Sequence, residues 1–416
     1  MMSSLSRCVT ADPEVFAREH WGRQPLLSRS AALPRDFDDL LSPHSVDELI
    51  AERGVRAPFI RMAKEGGLIG KDSYLGSAGF GAEMPDQVDS AKVLTQFATG
   101  ATIVLQGLHR LWPPVIDFVR GMVDDLGHPV QANAYITPPA NRGFDPHYDV
   151  HDVFVLQISG RKHWRVHAPV HDNPLSTQPW TDHREAIAAR SADSPVIDTL
   201  LEPGDALYLP RGWIHSAEAL GDTSIHLTVG VSAVTAYDLV RAVLDQLGTV
   251  DALRASLPMG SDFTDRDETA ALATKTIATV IDVLQDRTAD LAETVASRMS
   301  AVHAERTRPA AVRPLATLDA IDALDERTAV RLRHGLVTEI GRSATRTEIR
   351  LQDRTISFPD HCTAALHDIV SGDIVCAGTL PELDTADGLV LIRRLLREGV
   401  LVPDHRAPAH RSDLAE

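Results

Sequence analysis

Cysteine is scarce in this chain. Cys8, Cys362 and Cys376 are the whole complement in 416 residues, too few and too scattered for a disulfide framework or a cysteine-rich zinc site. Any metal must then be held by histidine and carboxylate. Lysine is almost as rare: of 41 basic residues only Lys64, Lys71, Lys92, Lys162 and Lys275 are lysines. Against 58 acidic residues the formal net charge is −17. Such a balance argues against nucleic acid as a partner, because duplex binding rests on neutralising phosphates, and suits a basic polypeptide better. Long apolar runs are also missing. Nothing approaches the ~20 residues of a membrane span, and the first thirty residues lack the apolar core of a secretory signal. The expectation is a soluble, cytoplasmic protein with no membrane partner. With 44% hydrophobic and 24% charged residues the chain is not a disordered one, and its length suits two or three domains of ~100–200 residues.

What is present changes period along the chain. DPEVFAREHWGRQPLLSR, from Asp12 to Arg29, reads as a short helix with an Asp cap and a first-turn Pro, then an extended PLLSR at a sheet edge. A helix is expected after Pro113-Pro114, ending at Gly127, with Val115, Phe118, Val119, Met122 and Val123 on one apolar stripe. Between Gln131 and Val234 the period becomes two. QANAYIT, HDVFVLQI, KHWRVHA, DALYLP and SIHLTVGVSAV are short β-rich runs separated by turn residues, the pattern of a sandwich or jelly roll. ISGRKHW looks like a hairpin turn between two of them. Beyond Ala236 the pattern is helical, with a long Ala-rich stretch suited either to dimerisation or to packing on the protein's own sheet. After a Pro/Arg-rich linker at 306–314, a third unit is expected to have helical text from about Leu318 to Leu336, a hairpin in TEIRLQDRTISFP, and two further helices. It resembles a winged helix, but its twelve arginines and no lysines against 17 acids disfavour DNA binding.

Chemistry concentrates in GFDPHYDVHDVFVLQ and LEPGDALYLPRGWIHSAEAL. On a strand, His147 and Asp149 would point to one side. His215, 68 residues on, can face them across a jelly roll. Two imidazoles and one carboxylate leave coordination positions open, which fits non-haem Fe(II) better than closed tetrahedral zinc. In the GRKHW segment, either Lys162 or Arg161 could meet an anion. A buried ammonium would require one.

HYDVHDVFVLQISGRKHWRVHAP, GDALYLPRGWIHSAEAL and SIHLTVGVSA together resemble the JmjC-type 2-oxoglutarate oxygenases, most closely the ribosomal oxygenase branch, whose members hydroxylate His or Arg side chains of ribosomal proteins. The motif likeness runs from REHWGRQPLL to about Val234. It implies an α+β chain: a jelly-roll (double-stranded β-helix, cupin) catalytic domain at 1–236, a helical dimerisation region at 237–305 and a winged-helix-like domain at 315–416. It implies Fe(II), 2-oxoglutarate and O₂, with His147, Asp149 and His215 as iron ligands and Lys162 on the distal carboxylate of 2-oxoglutarate. Asn133 and Ser224 fall on the family's polar contacts to the co-substrate, and Tyr135 on the pocket lining. A homodimer acting on a basic protein or peptide follows from the same likeness.

Other residues invite plainer readings. His151 is taken as an outer neighbour or a surface residue, and His163, His167 and His226 as half-buried strand histidines. The pairs His183/Glu185 and His303/Glu305 lie in helix-like text and are taken as surface, and Trp164 and Trp213 as packing. Three other functions fit the scaffold: a tailoring hydroxylase of a ribosomally made peptide, a cupin-like binding protein without catalysis and, ranked lowest, a lysine demethylase that hydroxylates an N-methyl group.

Overall fold

The computed structural model describes residues 3–64, 66–81, 83–139, 141, 145–343 and 345–404. Gly143 and Phe144 of the histidine motif, and the last twelve residues of the expected C-terminal domain, lie outside the described residues. Contacts divide the chain into two units, Met1–Val234 and Thr235–Glu416.

In chain order the strands of the first unit are β1 (Leu26–Ser28), β2 (Ile60–Lys64), β3 (Gly67–Leu68), β4 (Leu75–Gly76), β5 (Gln87–Val88), β6 (Thr102–Leu105), β7 (Val130–Thr137), β8 (Asp152–Ser159), β9 (Lys162–His167), β10 (Ile197–Leu201), β11 (Ala206–Leu209), β12 (Ile214–Ala219) and β13 (Ser224–Val231). Eight form one sheet in the order β1-β11-β8-β13-β7-β6-β2-β3, and three form a second, β10-β9-β12. The pairings are antiparallel. Alternation along β8 explains why two cores exist. Val153 and Val155 pack with Trp164, Val166 and Leu207 in one cluster, while Phe154, Leu156 and Ile158 enter a larger one with the helices. β7 and β13 divide in the same way. Ala132, Ala134, Ile136, Leu227 and Val229 join the large cluster, so Asn133, Tyr135, Thr137, Ser224, His226 and Thr228 lie on the opposite face.

Local signals place the flanks. Asp12 caps a turn through Glu14 N, with Pro13 at its first position, and β1 is the edge strand on β11. The helix Pro113–Leu126 buries Val115, Phe118, Val119 and Met122 and stops at Gly127, whose φ of 69° is the left-handed conformation that ends helices.

The expected hairpin at ISGRKHW does not form. β8 pairs with β11 and β13, and β9 with β10 and β12. At Gly160 (φ +62°) the chain instead steps from one sheet to the other, so close to Thr223 that a Cβ would lie 2.1 Å from its carbonyl oxygen. Two adjacent alternating runs fix which faces are apolar; they do not fix which strands pair.

In the second unit the Ala-rich stretch is two helices, Arg266–Asp286 and Thr288–Thr307, following Ala236–Leu247. Of the text expected to be helical from Leu318 to Leu336, the helix is Pro314–Asp322, and Val330–Leu332 is instead a strand paired with Leu401–Pro403. A three-stranded sheet, Glu339–Ser343, Arg346–Arg350 and Thr355–Pro359, includes the expected hairpin. The helices Thr363–Val370 and Thr385–Arg397 close its core through Leu366, Ile369, Leu391 and Leu395. Cys8 and Cys362 are buried free thiols, and Cys376 is free and partly exposed. Among the described residues no helix is long and apolar enough to cross a membrane.

Candidate metal centre

The first unit holds a cavity of about 210 Å³ between its two sheets, lined from both. At one side the donor atoms of His147, Asp149 and His215 all lie within 4.8 Å of one another. The sequence reading places His147 and Asp149 on a strand, but β8 begins only at Asp152. What converges them is an isolated bridge: His147 N donates to His215 O at 3.2 Å, and His215 N to His147 O at 2.8 Å. Gly212 N donates to Asp149 O at 3.0 Å. Two segments far apart in sequence are thus joined by backbone beside their side chains.

Each imidazole is oriented by its own chain. His147 Nδ1 lies 2.7 Å from Asp145 O, and His215 Nδ1 3.1 Å from Trp213 O. A carbonyl only accepts, so Nδ1 carries the proton and Nε2 presents its lone pair. His215 Nε2 is 3.7 Å from Asp149 Oδ2. Burial, with help from His147, pushes the His215 pKa down to about 4, keeping the ring neutral as a metal ligand requires. For Asp149 burial works upward, but His151, His215, His147 and Arg61 together hold its carboxyl below the usual range. Two imidazole nitrogens and a carboxylate oxygen gathered within 4.8 Å of one another fit a divalent transition metal with positions left open.

Lys162, at the start of β9, is 3% exposed. Its ammonium donates to Thr137 Oγ1 at 3.1 Å and lies 6.0 Å from the Trp164 ring centroid. No carboxylate pairs with it among the described residues. Burial pulls its pKa down to about 7. Neighbouring Arg161 is exposed, so it is Lys162 that reaches the cavity.

Tyr135 lines the cavity, stacked on His226 with ring centroids 5.1 Å apart and hydrogen-bonded to Arg61. Asn133 and Ser224 share its side of the sheet without reaching the cavity wall. Asn133 Oδ1 accepts from Gly107 N at 3.0 Å, and Ser224 Oγ, fully buried, receives Gln157 Nε2 at 3.0 Å. Ser224 also sits opposite Thr137, the partner of Lys162.

Several cavity residues have no signal in the sequence. His226 is 3% exposed rather than half buried, and Trp164 lines the cavity as well as packing. Arg61 arrives from β2 and Trp180 from a connecting segment. Only their tertiary placement makes them notable. His151 lies in the bend before β8 with its ring against Gly230, and it is outside the three-donor group. The other two histidine–glutamate pairs lie on helical turns, as expected.

Residues 116–239 match the JmjC domain family. The chain is 32% identical over 221 residues to ribosomal oxygenase 1 of Gallus gallus, covering 53% of this chain and 35% of that protein. It is 41% identical over 109 residues to the bifunctional lysine-specific demethylase and histidyl-hydroxylase NO66 of Drosophila persimilis, 26% of this chain and 15% of that one. The chain thus spans about a third, or less, of the length of these curated relatives. In fold it is similar to the Escherichia coli ribosomal oxygenase YcfD in complex with cobalt and 2-oxoglutarate, with TM-score 0.54 and 18% identity over 95% of this chain and 99% of that one.

Proposed function

We propose that this chain, whose residues 116–239 match the JmjC domain family, is an Fe(II)- and 2-oxoglutarate-dependent dioxygenase that hydroxylates a histidine or arginine side chain of a ribosomal protein or another basic polypeptide. The observation that carries this reading is the buried Lys162, with no carboxylate paired to it among the described residues, on the wall of the cavity that holds the three-donor centre. A buried ammonium in an apolar wall is costly until an anion meets it, and a dicarboxylate that also reaches the metal would satisfy both needs.

His147, Asp149 and His215 would hold the metal. Iron held there would supply, with 2-oxoglutarate and O₂ as co-substrates, the oxidising power for hydroxylating an unactivated carbon, with succinate and CO₂ as by-products. The chain's own residues do the rest. Asp145 O and Trp213 O keep Nε2 of both histidines turned inward. Lys162 anchors the far carboxylate, with Thr137 holding its ammonium and Tyr135 beside the site. Ser224 and Asn133 act behind the wall. Val153, Val155 and Trp164 give the cavity its apolar wall. The net charge of −17 favours a basic target. The helical region 237–305, with Leu244, Ile277 and Ile281 exposed, we assign to self-association, and 315–416 to a winged-helix-like scaffold.

The test is anaerobic titration of the full chain with Fe(II) and 2-oxoglutarate, followed by air and the ribosomal proteins of the source organism. A weak visible charge-transfer band, succinate formation and a gain of one oxygen on one ribosomal protein are expected. Absence of the band would leave a cupin-like binding protein instead.

A further inference from the structure

Trp180 lines the cavity without belonging to the three-donor centre or to the Lys162 pocket. It belongs to the turn Trp180–His183, in a connection between β9 and β10, yet its indole lines the cavity, with ring centroid 6.0 Å from that of His147. It is only partly buried.

Three features hold it there. Tyr148, Ile187 and Ile214 form a small buried cluster, and Trp180 packs against it with Val150 and Val170. Tyr148 follows His147 and Ile214 precedes His215, so the cluster that seats the indole also seats two of the three donors. The turn itself is tied down: Tyr148 Oη donates to Gln178 O at 3.0 Å, and Leu175 N donates to Gln178 Oε1 at 2.8 Å. Over one face of the ring lies the Arg184 guanidinium, 4.4 Å from the centroid. An indole fixed on one face and at its base, with its remaining surface turned to a cavity, is a preorganised wall.

We propose that Trp180 is a substrate-contacting, specificity-determining residue: a neutral planar side chain of imidazole type stacks against its cavity-facing surface, beside the three-donor centre. Stacking suits a planar group, because offset π contacts gain more than their buried area alone. Neutrality follows from the lining. Among the described lining residues, once Asp149 holds the metal and Lys162 the co-substrate, the charged side chain left facing the cavity is Arg61, so a cationic target gains least there. The proposal rests on the hydroxylase reading for what becomes of the stacked ring, but the stacking itself does not need a metal.

The test uses the full chain with ¹⁵N-labelled tryptophan and no added metal, the indole resonance of Trp180 being assigned by its loss in Trp180→Phe. Titration with N-acetyl-histidine N-methylamide is expected to shift the Trp180 signal saturably and leave that of Trp112 unmoved, with no such shift from N-acetyl-alanine N-methylamide. In Trp180→Leu the affinity for the histidine probe, read by ligand-observed NMR, should fall about three- to tenfold, and Trp180→Phe should restore most of it. Equal shifts from both probes, or unchanged affinity in Trp180→Leu with the remaining indole signals in place, would overturn the proposal. If the Trp180 shift is present but the Fe(II)–2-oxoglutarate band is absent, the dioxygenase reading falls and the stacking wall stands.

Discussion

At the donor side of the cavity, His147 and His215 each rest a ring nitrogen on a carbonyl two residues back and share a backbone bridge, whereas Lys162 has one hydroxyl and a distant ring face for company. The two regions differ in what they need. The donors are oriented by hydrogen bonds that exist without any ligand, so their geometry survives the loss of a side chain. The lysine is an amine kept out of water with no counter-charge among the described residues, so it weakens the empty protein and gains from an anionic guest. One region is prepared for its ligand by order, the other by need.

The largest effect should come from the donors. Asp149→Ala or His215→Ala is expected to cut metal affinity and succinate formation by more than about 100-fold, beyond what outer neighbours of a metal usually cost, while thermal stability changes little because the backbone bridge remains. Calorimetric metal titration and a melting curve check both halves. Retained metal affinity would break the comparison at its donor side.

Next in size is Lys162→Met. It should weaken 2-oxoglutarate binding by about 10- to 100-fold, the worth of a charge-assisted contact, and yet stabilise the empty protein by roughly 1–3 kcal/mol, since an unpaired buried charge is replaced by an apolar chain. Opposite signs in the two measurements are the point. A variant that loses both affinity and stability would mean that Lys162 already has a structural partner.

The same lysine sets a pH dependence. Its pKa in the folded, empty protein is about 7 against 10.5 unperturbed, so between those values the unfolded chain binds more protons and stability rises with pH. Below 7 the penalty is fully present. An anion restores the ammonium, so above pH 7 binding takes up a proton and 2-oxoglutarate affinity should fall, by up to about tenfold per unit. Denaturant melts and affinities at pH 7 and 9 test this, with Lys162→Met as the flat control.

How far these regions were legible in the sequence follows from what kind of interaction builds them. The helix Pro113–Leu126 is written locally, in two prolines, a stripe and a terminal glycine, and it stands where the pattern puts it. Strand faces are equally local, which is why β7, β8 and β13 fall on their alternating runs. Partners are not. The step at Gly160 reads as a hairpin until the sheet order shows each strand pairing with others far away in sequence. β10 has no counterpart among those runs, because IDTLL alternates weakly, and β12 is expected only as the strand that carries His215. The donors were found through residue type and family likeness, and the bridge that converges them was not foreseeable. Trp180 and Arg61 carry no local mark, since a connecting segment and an outlying strand bring them to the cavity only after the fold has closed.

The smallest effects should separate wall from backing. Ser224→Ala removes one acceptor from Gln157 Nε2, which also donates to Ser159 O and Gly160 O. The amide keeps two partners, so less than about 1 kcal/mol of stability is expected to go. Asn133→Ala costs more, about 1–3 kcal/mol, because Gly107 N is left without its acceptor at a left-handed turn. For neither should 2-oxoglutarate affinity move by more than about threefold, since neither side chain lines the cavity and Lys162 keeps Thr137. A tenfold loss of affinity in Ser224→Ala at unchanged stability would put that hydroxyl in contact with the co-substrate. The lysine region would then be prepared by hydrogen bonds as well, and the contrast with the donors would narrow to the missing charge.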